Sequence, residues 1–194
     1  MAAAPKEDRR VAICDAVFEL LGEVGYDRMS MDAVAARARA SKATIYRKWQ
    51  SKPDLVTAAL LQRFADARQT ADTGSLRGDL VAHMSLGCEI AGSEDGAIIA
   101  GLMTAAARDP ELAATVHTCI YATKRSPYET ILNRAIERGE LPAGADVDLL
   151  HETVHALIIN RRLSGAGPMD DAFVERAVDR ILLPVLRSSV ADPA

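Results

Sequence analysis

The chain has 194 residues, 49% of them hydrophobic but only 4% aromatic, enough for one large domain or for a small domain joined to a medium one. Its alanine- and leucine-rich apolar set suits close-packed helices better than sheets, no apolar run is long enough to span a bilayer, and MAAAPKEDRR carries no apolar leader, so a soluble cytoplasmic protein is expected. The net charge of −4 argues against a nucleic-acid partner, but it hides an asymmetry: residues 1–52 hold ten Lys/Arg against seven Asp/Glu, and the six basic residues from Arg37 to Lys52 have no acidic residue among them.

In chain order, Pro5 lies near the start of a first helix over 6–24, with Val11, Cys14, Val17, Phe18 and Leu21 on its apolar face and Gly25 ending it. Ser30 caps a short helix over 31–38, Ser41 caps another that reaches Trp49, and SKPD at 51–54 spells a capping box that opens a helix to about residue 70. DTGSLRGDL at 72–80, with two glycines and small polar residues, is the expected joint. Beyond it the pattern predicts helices over 76–91, 94–108 and 110–139, the third broken or sharply kinked at SPYE, 126–129. PAGA (142–145) and SGAGP (164–168) frame a helix over 146–163, and a last helix runs over 170–188 with Pro184 disturbing its end. No segment shows a persuasive strand pattern. Cys14, Cys88 and Cys119 are widely spaced and read as small core hydrophobes.

The informative stretch is MSMDAVAARARASKATIYRKWQSKPDLV, 29–56, two short helices with a tight turn between them. On the second, Ile45 and Trp49 share an apolar back, while Lys42 with Tyr46 and Ala43 with Arg47 make a basic front carrying one aromatic hydroxyl. Ala43 is small enough to let the backbone approach base edges. Lys42, Tyr46 and Lys52 suit phosphates, and Arg47 suits phosphate or guanine. The start of the 51–70 helix adds amide donors for a further phosphate.

This block resembles the DNA-binding domain of the tetracycline-repressor (TetR) family of bacterial regulators, above all in SKATIYRKWQSK, and AVFELLGEVGYDRMSM fits that family's first helix and glycine-ended turn. ARDPELAATV, AIERGELPAGADVDLL and GPMDDAFVERAVDRIL resemble one ligand-domain branch more loosely. The resemblance implies an all-α homodimer: a three-helix helix-turn-helix domain over 1–52, a connecting helix over 53–71, and an effector-binding and dimerisation domain over 72–194. It implies transcriptional control on a palindromic operator, usually repression relieved by a small molecule. Ser30, Lys42, Ala43, Thr44, Tyr46, Arg47 and Lys52 match the family's DNA-contacting positions. Arg39 stands where the family usually has glycine; if the turn needs a positive φ, arginine costs about 1 kcal/mol there, and it could add a phosphate contact.

In the effector domain Met84, Cys88, Met103, Cys119 and Tyr121 are candidate lining residues for a hydrophobic effector, with plain core as the alternative for each. Val147, Leu150, Val154, Leu157 and Ile158, with Phe173, Ala177, Ile181 and Val185, are the expected dimer seam, the alternative being burial within one subunit. HETVH at 151–155 spells a zinc-protease motif: His151 and His155 would grip a metal, Glu152 would activate water, and Glu175 lies at a spacing some peptidases use for a third ligand. The SGAGP break, the absence of a strand to hold substrate and the competing apolar face of that helix all weigh against an enzyme. No metal or cofactor is expected. The remaining alternatives are a helical zinc hydrolase and a constitutive repressor without an effector.

Overall fold

Hydroxyl and carboxylate caps set most of the helix starts. The computed structural model describes residues 6–65 and 69–188, with side chains outside 6–8 and 118–126. The helices are α1 (Lys6–Arg28), α2 (Met31–Arg37), α3 (Lys42–Lys48), α4 (Lys52–Arg63), α5 (Leu76–Gly92), α6 (Glu94–Ala106), α7 (Pro110–Glu137), α8 (Val147–Ser164), α9 (Asp171–Ala177) and α10 (Leu183–Ser188). No strand occurs among the described residues. Ser30, Ser41, Ser51 and Ser75 each accept a hydrogen bond from the backbone N–H three residues on, opening α2 to α5 in turn. Asp146 and Asp170 do the same for α8 and α9. Asp54 reaches back to the Gln50 N–H at 3.0 Å, closing the α4 capping arrangement.

Two local expectations are corrected and a third, the disturbance at Pro184, takes a definite form. The helix opened by Ser51 ends at Arg63, not near 70; from Gln69 the chain is non-helical, and Thr70, Asp72, Thr73 and Gly74 are residues that favour turns over helix. Residues 126–129 do not break α7, which is helical through Pro127. Tyr128, Ile131, Leu132 and Ala135, buried just beyond it, supply packing that outweighs the missing hydrogen bond. The last helix is divided before Pro184: Val178–Leu182 forms a π-turn in which the Leu183 N–H reaches the Val178 carbonyl, a widening that accommodates the proline ring. Gly25 breaks helical geometry at φ 75°, ψ 170°, and so ends the long first helix as expected, although helical turns resume as far as Arg28.

The chain forms two compact units, Met1–Asp66 with Glu94–Tyr121, and Ala67–Ser93 with Ala122–Ala194. In the first, α1 packs on α2, α4 and α6. Its core gathers Val17, Phe18 and Leu21 of α1, Val34 of α2, Ile45 and Trp49 around α3, Leu55 and Val56 of α4, and Leu102 and Leu112 from α6 and α7. Ile45 and Trp49 thus share a core with Phe18 and Leu21, and the apolar back of α3 is anchored. A groove of 1240 Å³ runs between α1 and α6, lined by Phe18, Gly22, Tyr26, Ile98, Leu102 and Arg108 among others.

The second unit packs α5 on α8, α9 and the π-turn. Leu150, Val154 and Ile158 of α8, with Phe173 and Ala177 of α9, are buried in this unit's own core. The seam expected at these positions is therefore corrected: they pack within one chain. Exposed apolar side chains on the same elements are Leu149 (41%), Leu163 (67%) and Ile181 (36%).

A buried polar network opens α5. The Asp79 carboxylate accepts from the Thr73 N–H and hydroxyl, both at 2.7 Å, and from Arg138 Nη2 at 3.0 Å. Burial pushes its pKa up, but these hydrogen bonds outweigh that effect and hold it below the usual 3.8. A depressed carboxylate pKa stabilises the fold above the unfolded-state value, and that stabilisation disappears as pH falls through the folded-state value. Asp79→Asn should lower Tm at pH 7, and the gap from wild type should narrow as pH falls below about 4. Parallel melting curves across that range check this; a gap independent of pH would contradict it.

Candidate nucleic-acid interface

The turn between α2 and α3 carries a backbone consequence of its sequence. Arg39 adopts φ 50°, the only positive φ of a non-glycine among the described residues. Its N–H donates to the Ala36 carbonyl at 3.2 Å, and the Ala40 N–H returns to Ala35 at 2.9 Å, closing the turn. The condition raised by the sequence is met: the turn requires the left-handed region where glycine is at ease. Arg39→Gly should raise stability by up to about 1 kcal/mol, or roughly 2–4 °C in Tm for a chain of this size. An unchanged or lower Tm would show that the turn relaxes around arginine at no cost.

On α3, Lys42, Ala43, Tyr46, Arg47 and Lys48 are exposed while Ile45 is fully buried, so the basic front and apolar back lie as the wheel requires. Tyr46 is 52% exposed, unusual for so large a side chain. Thr44 is half-buried, and its hydroxyl lies 2.8 Å from that of Ser41. Ser30 Oγ is engaged as the α2 cap, accepting from the Ala33 N–H at 3.1 Å, which leaves its own hydroxyl proton available.

The cations of this face differ in their engagement. Lys42 Nζ lies 2.6 Å from Asp32 Oδ2, and the Tyr46 hydroxyl lies 3.4 Å from Asp32 Oδ1. The hydrogen bond to Asp32 raises the Lys42 pKa, so the group stays charged. Arg37 is tied to Glu19 and Glu23 at 2.9 and 2.7 Å and is directed at α1. Arg47, the one guanidinium on α3, is exposed and forms no ion pair among the described residues. Lys52 is turned inward: its Nζ donates to the Tyr26 carbonyl at 2.9 Å and the Met29 carbonyl at 3.2 Å, and sits 3.9 Å from the centre of the Tyr26 ring. Burial lowers its pKa. The spacing of basic residues revealed none of this, because Asp32, Tyr26 and Met29 act on these cations through tertiary contacts.

The other candidate residues divide between the two units. Met84 and Cys88 are buried in the core of the second unit, where burial pushes the Cys88 thiol up to about 11. Met103 is half-buried on α6, in the first unit. Cys119 and Tyr121 lie outside the described side chains. Of the zinc motif, His151 is buried (3% exposed) with its ring 4.5 Å from that of His155 and 5.7 Å from that of Tyr128, which also packs edge-on to His83 at 4.8 Å. Glu152 is on the exposed side of α8, and Glu175 faces Arg77 at 3.9 Å. No group of three His, Cys, Asp or Glu side chains able to hold a metal occurs among the described residues. His151 is therefore a core residue within an aromatic cluster.

Residues 13–59 match the model of bacterial regulatory proteins of the tetR family, and residues 70–181 match that of the tetracyclin repressor-like C-terminal domain. The chain belongs to the TetR family. A DNA-binding transcriptional repressor TetR of Mycobacteroides abscessus is 40% identical over 184 residues, spanning 93% of this chain and 95% of that protein. The solved structure of a TetR family transcription regulator superposes with a TM-score of 0.74 at 30% identity, covering 90% of this chain and 97% of the other. The FadR regulator of Bacillus subtilis, solved in complex with stearoyl-CoA, shares the fold at TM-score 0.60 and 21% identity, covering 92% and 98% of the two chains. This TetR family member is a DNA-binding transcriptional regulator. No helix among the described residues is long and apolar enough to cross a membrane.

Proposed function

We propose that the chain is a dimeric repressor that reads a palindromic operator through α3 and is released by a small, hydrophobic effector. The observation that carries the first part is the exposed basic front of α3, its apolar back locked in the core, on a chain that is otherwise acidic. In this reading Arg47 reads a base edge, Ala43 permits close approach, and Ser30, Arg39, Lys42, Thr44, Tyr46 and Lys52 bind phosphates. The effector part is supported by the match over 70–181 and by the adaptable apolar side chains there. The stearoyl-CoA of the FadR structure belongs to that protein, whose fold this chain shares. Met84, Cys88, Met103, Cys119 and Tyr121 remain the residues proposed to face the effector.

The test is selection of duplexes from a random-sequence library by the wild-type protein. It should return a palindrome whose half-sites are centred about one helical turn apart, or a multiple of that. Tyr46→Ala should then weaken binding to all sequences alike. Its hydroxyl is uncharged, so the salt slope should change far less than the step of about 0.9 expected for each phosphate that a removed cation had neutralised. No enrichment over non-specific DNA would overturn the operator reading, and unchanged affinity in the variant would remove Tyr46 from the interface.

A further inference from the structure

The α1–α2 corner, the start of α4 and the α6–α7 corner meet in one polar cluster within the first compact unit. Lys52, the first residue of α4, follows the recognition helix by only four residues. Its ammonium has three protons, and two are directed at the Tyr26 and Met29 carbonyls, at 2.9 and 3.2 Å. The Tyr26 ring, 7% exposed, lies against the same ammonium. At the far end of that ring the hydroxyl lies 3.3 Å from Asp109 Oδ2. Asp109 in turn is fixed by α7, since its Oδ1 accepts from the Leu112 and Glu111 N–H groups at 3.0 and 3.1 Å.

One carboxylate thus joins the first turn of α7 to a side chain that braces the Lys52 ammonium. Tyr26 and Lys52 lie within the segment matched by the N-terminal family model, and Asp109 within the segment matched by the C-terminal one. Because both Asp109 oxygens are engaged, a turn or shift of the start of α7 displaces Oδ2 relative to Tyr26. The Tyr26 ring and carbonyl both contact Lys52, so they carry that displacement to the ammonium. The hydroxyl contact is long for an O–H···O bond, so its removal should cost the fold little. A phosphate contact depends steeply on where the charge is held, and there an ordered ammonium has the advantage over a mobile one.

We propose that Tyr26 and Asp109 are positioning residues for DNA binding: through them the α6–α7 corner fixes where the Lys52 ammonium stands, leaving its third proton for a phosphate, and so sets operator affinity. The proposal rests on the DNA-binding reading above and adds to it a route by which the region carrying the effector domain acts on a named contact.

The experiment uses the full chain and the operator returned by wild-type selection, with affinity measured by fluorescence anisotropy across a salt series. Tyr26→Phe keeps the ring and the carbonyl and removes only the hydroxyl. Asp109→Asn keeps a capping oxygen and removes the charge. Each should weaken operator binding by about threefold, the weak end of what one hydrogen bond is worth, with Tm close to wild type. Lys52→Met should lower the salt slope by about 0.9 for each phosphate that the ammonium had neutralised. In the Lys52→Met background, Tyr26→Phe should have no further effect, an epistasis that a merely structural role would not produce. If wild type binds its operator but both single variants bind equally well, the positioning role fails while the DNA-binding reading stands. If their weakening persists in full without Lys52, the route does not pass through that ammonium and the proposal also fails. A wild-type protein that selects no DNA would remove both readings together.

Discussion

Arg47→Ala should lower operator affinity by on the order of a hundredfold and at the same time relax the preferred base at one position of each half-site. The magnitude follows from the dimer: one bidentate arginine–guanine contact discriminates by about 1–3 kcal/mol, and a palindrome forfeits it twice. Arg47 is singled out as the one guanidinium of α3, exposed and without an ion pair among the described residues, whereas Lys42 is held by Asp32 at 2.6 Å, Arg37 by two glutamates of α1, and Lys48 lies 5.0 Å from the centre of the Trp49 ring. A cation already paired gives up a partner on reaching DNA, so its removal should cost less affinity than removal of an unpaired one. The check is selection with the variant protein beside affinity and salt slope. A weaker complex with a relaxed consensus assigns Arg47 to a base. A weaker complex with the same consensus and a lower slope assigns it to a phosphate and ends the base-reading role. Unchanged affinity removes it from the interface.

The parts of this molecule that were legible in its sequence are those written locally. Ser30, Ser41 and Ser51 each precede a helix by one residue, and the caps form at all three. The apolar back of α3 follows from the four-residue spacing of Ile45 and Trp49, and both are buried. Arg39 stood out as a glycine position filled by arginine, and its positive φ follows from the turn. What was not legible depends on partners distant in sequence. Asp109 could be read as a cap before Pro110, but its contact with Tyr26 spans 83 residues. The basic stripe looked uniform, yet Asp32, Glu19, Glu23 and two carbonyls divide it into engaged and available cations. Pro127 carried a strong local signal for a break, and core packing beyond it prevailed. The histidines of HETVH fitted a metal motif by spacing alone, and the burial of His151 against Tyr128 and His155 gives that spacing an ordinary packing cause.

The seam shows the same division and yields the second large effect. Helical spacing identified α8 and α9 as amphipathic, but it could not tell a face buried within the chain from one left for a twin. Leu150, Val154 and Ile158 are used internally. The complementary stripe of α8 is Leu149, Thr153, Ala156, Asn160 and Leu163, spaced four, three, four and three residues apart; all but the half-buried Thr153 are exposed. That is the heptad rhythm of two helices packed side by side, with small residues at its middle permitting close approach. Ile181, beside the π-turn's end, offers a further exposed apolar side chain on the last helical segment. If this stripe is the dimer contact, Ala156→Arg with Leu163→Arg places two charges per copy where the helices meet, and the protein should sediment as a monomer at micromolar concentration. The substituted side chains are exposed, so the fold should persist, with helical circular dichroism unchanged. Each monomer keeps its α3 surface but can no longer engage both half-sites at once. Operator affinity should therefore fall by about 10²–10⁴, while binding to a single half-site stays as it was. A variant that still sediments as a dimer would move the seam to another face. One that becomes monomeric yet binds the full operator as tightly as wild type would show that the two half-sites are occupied independently.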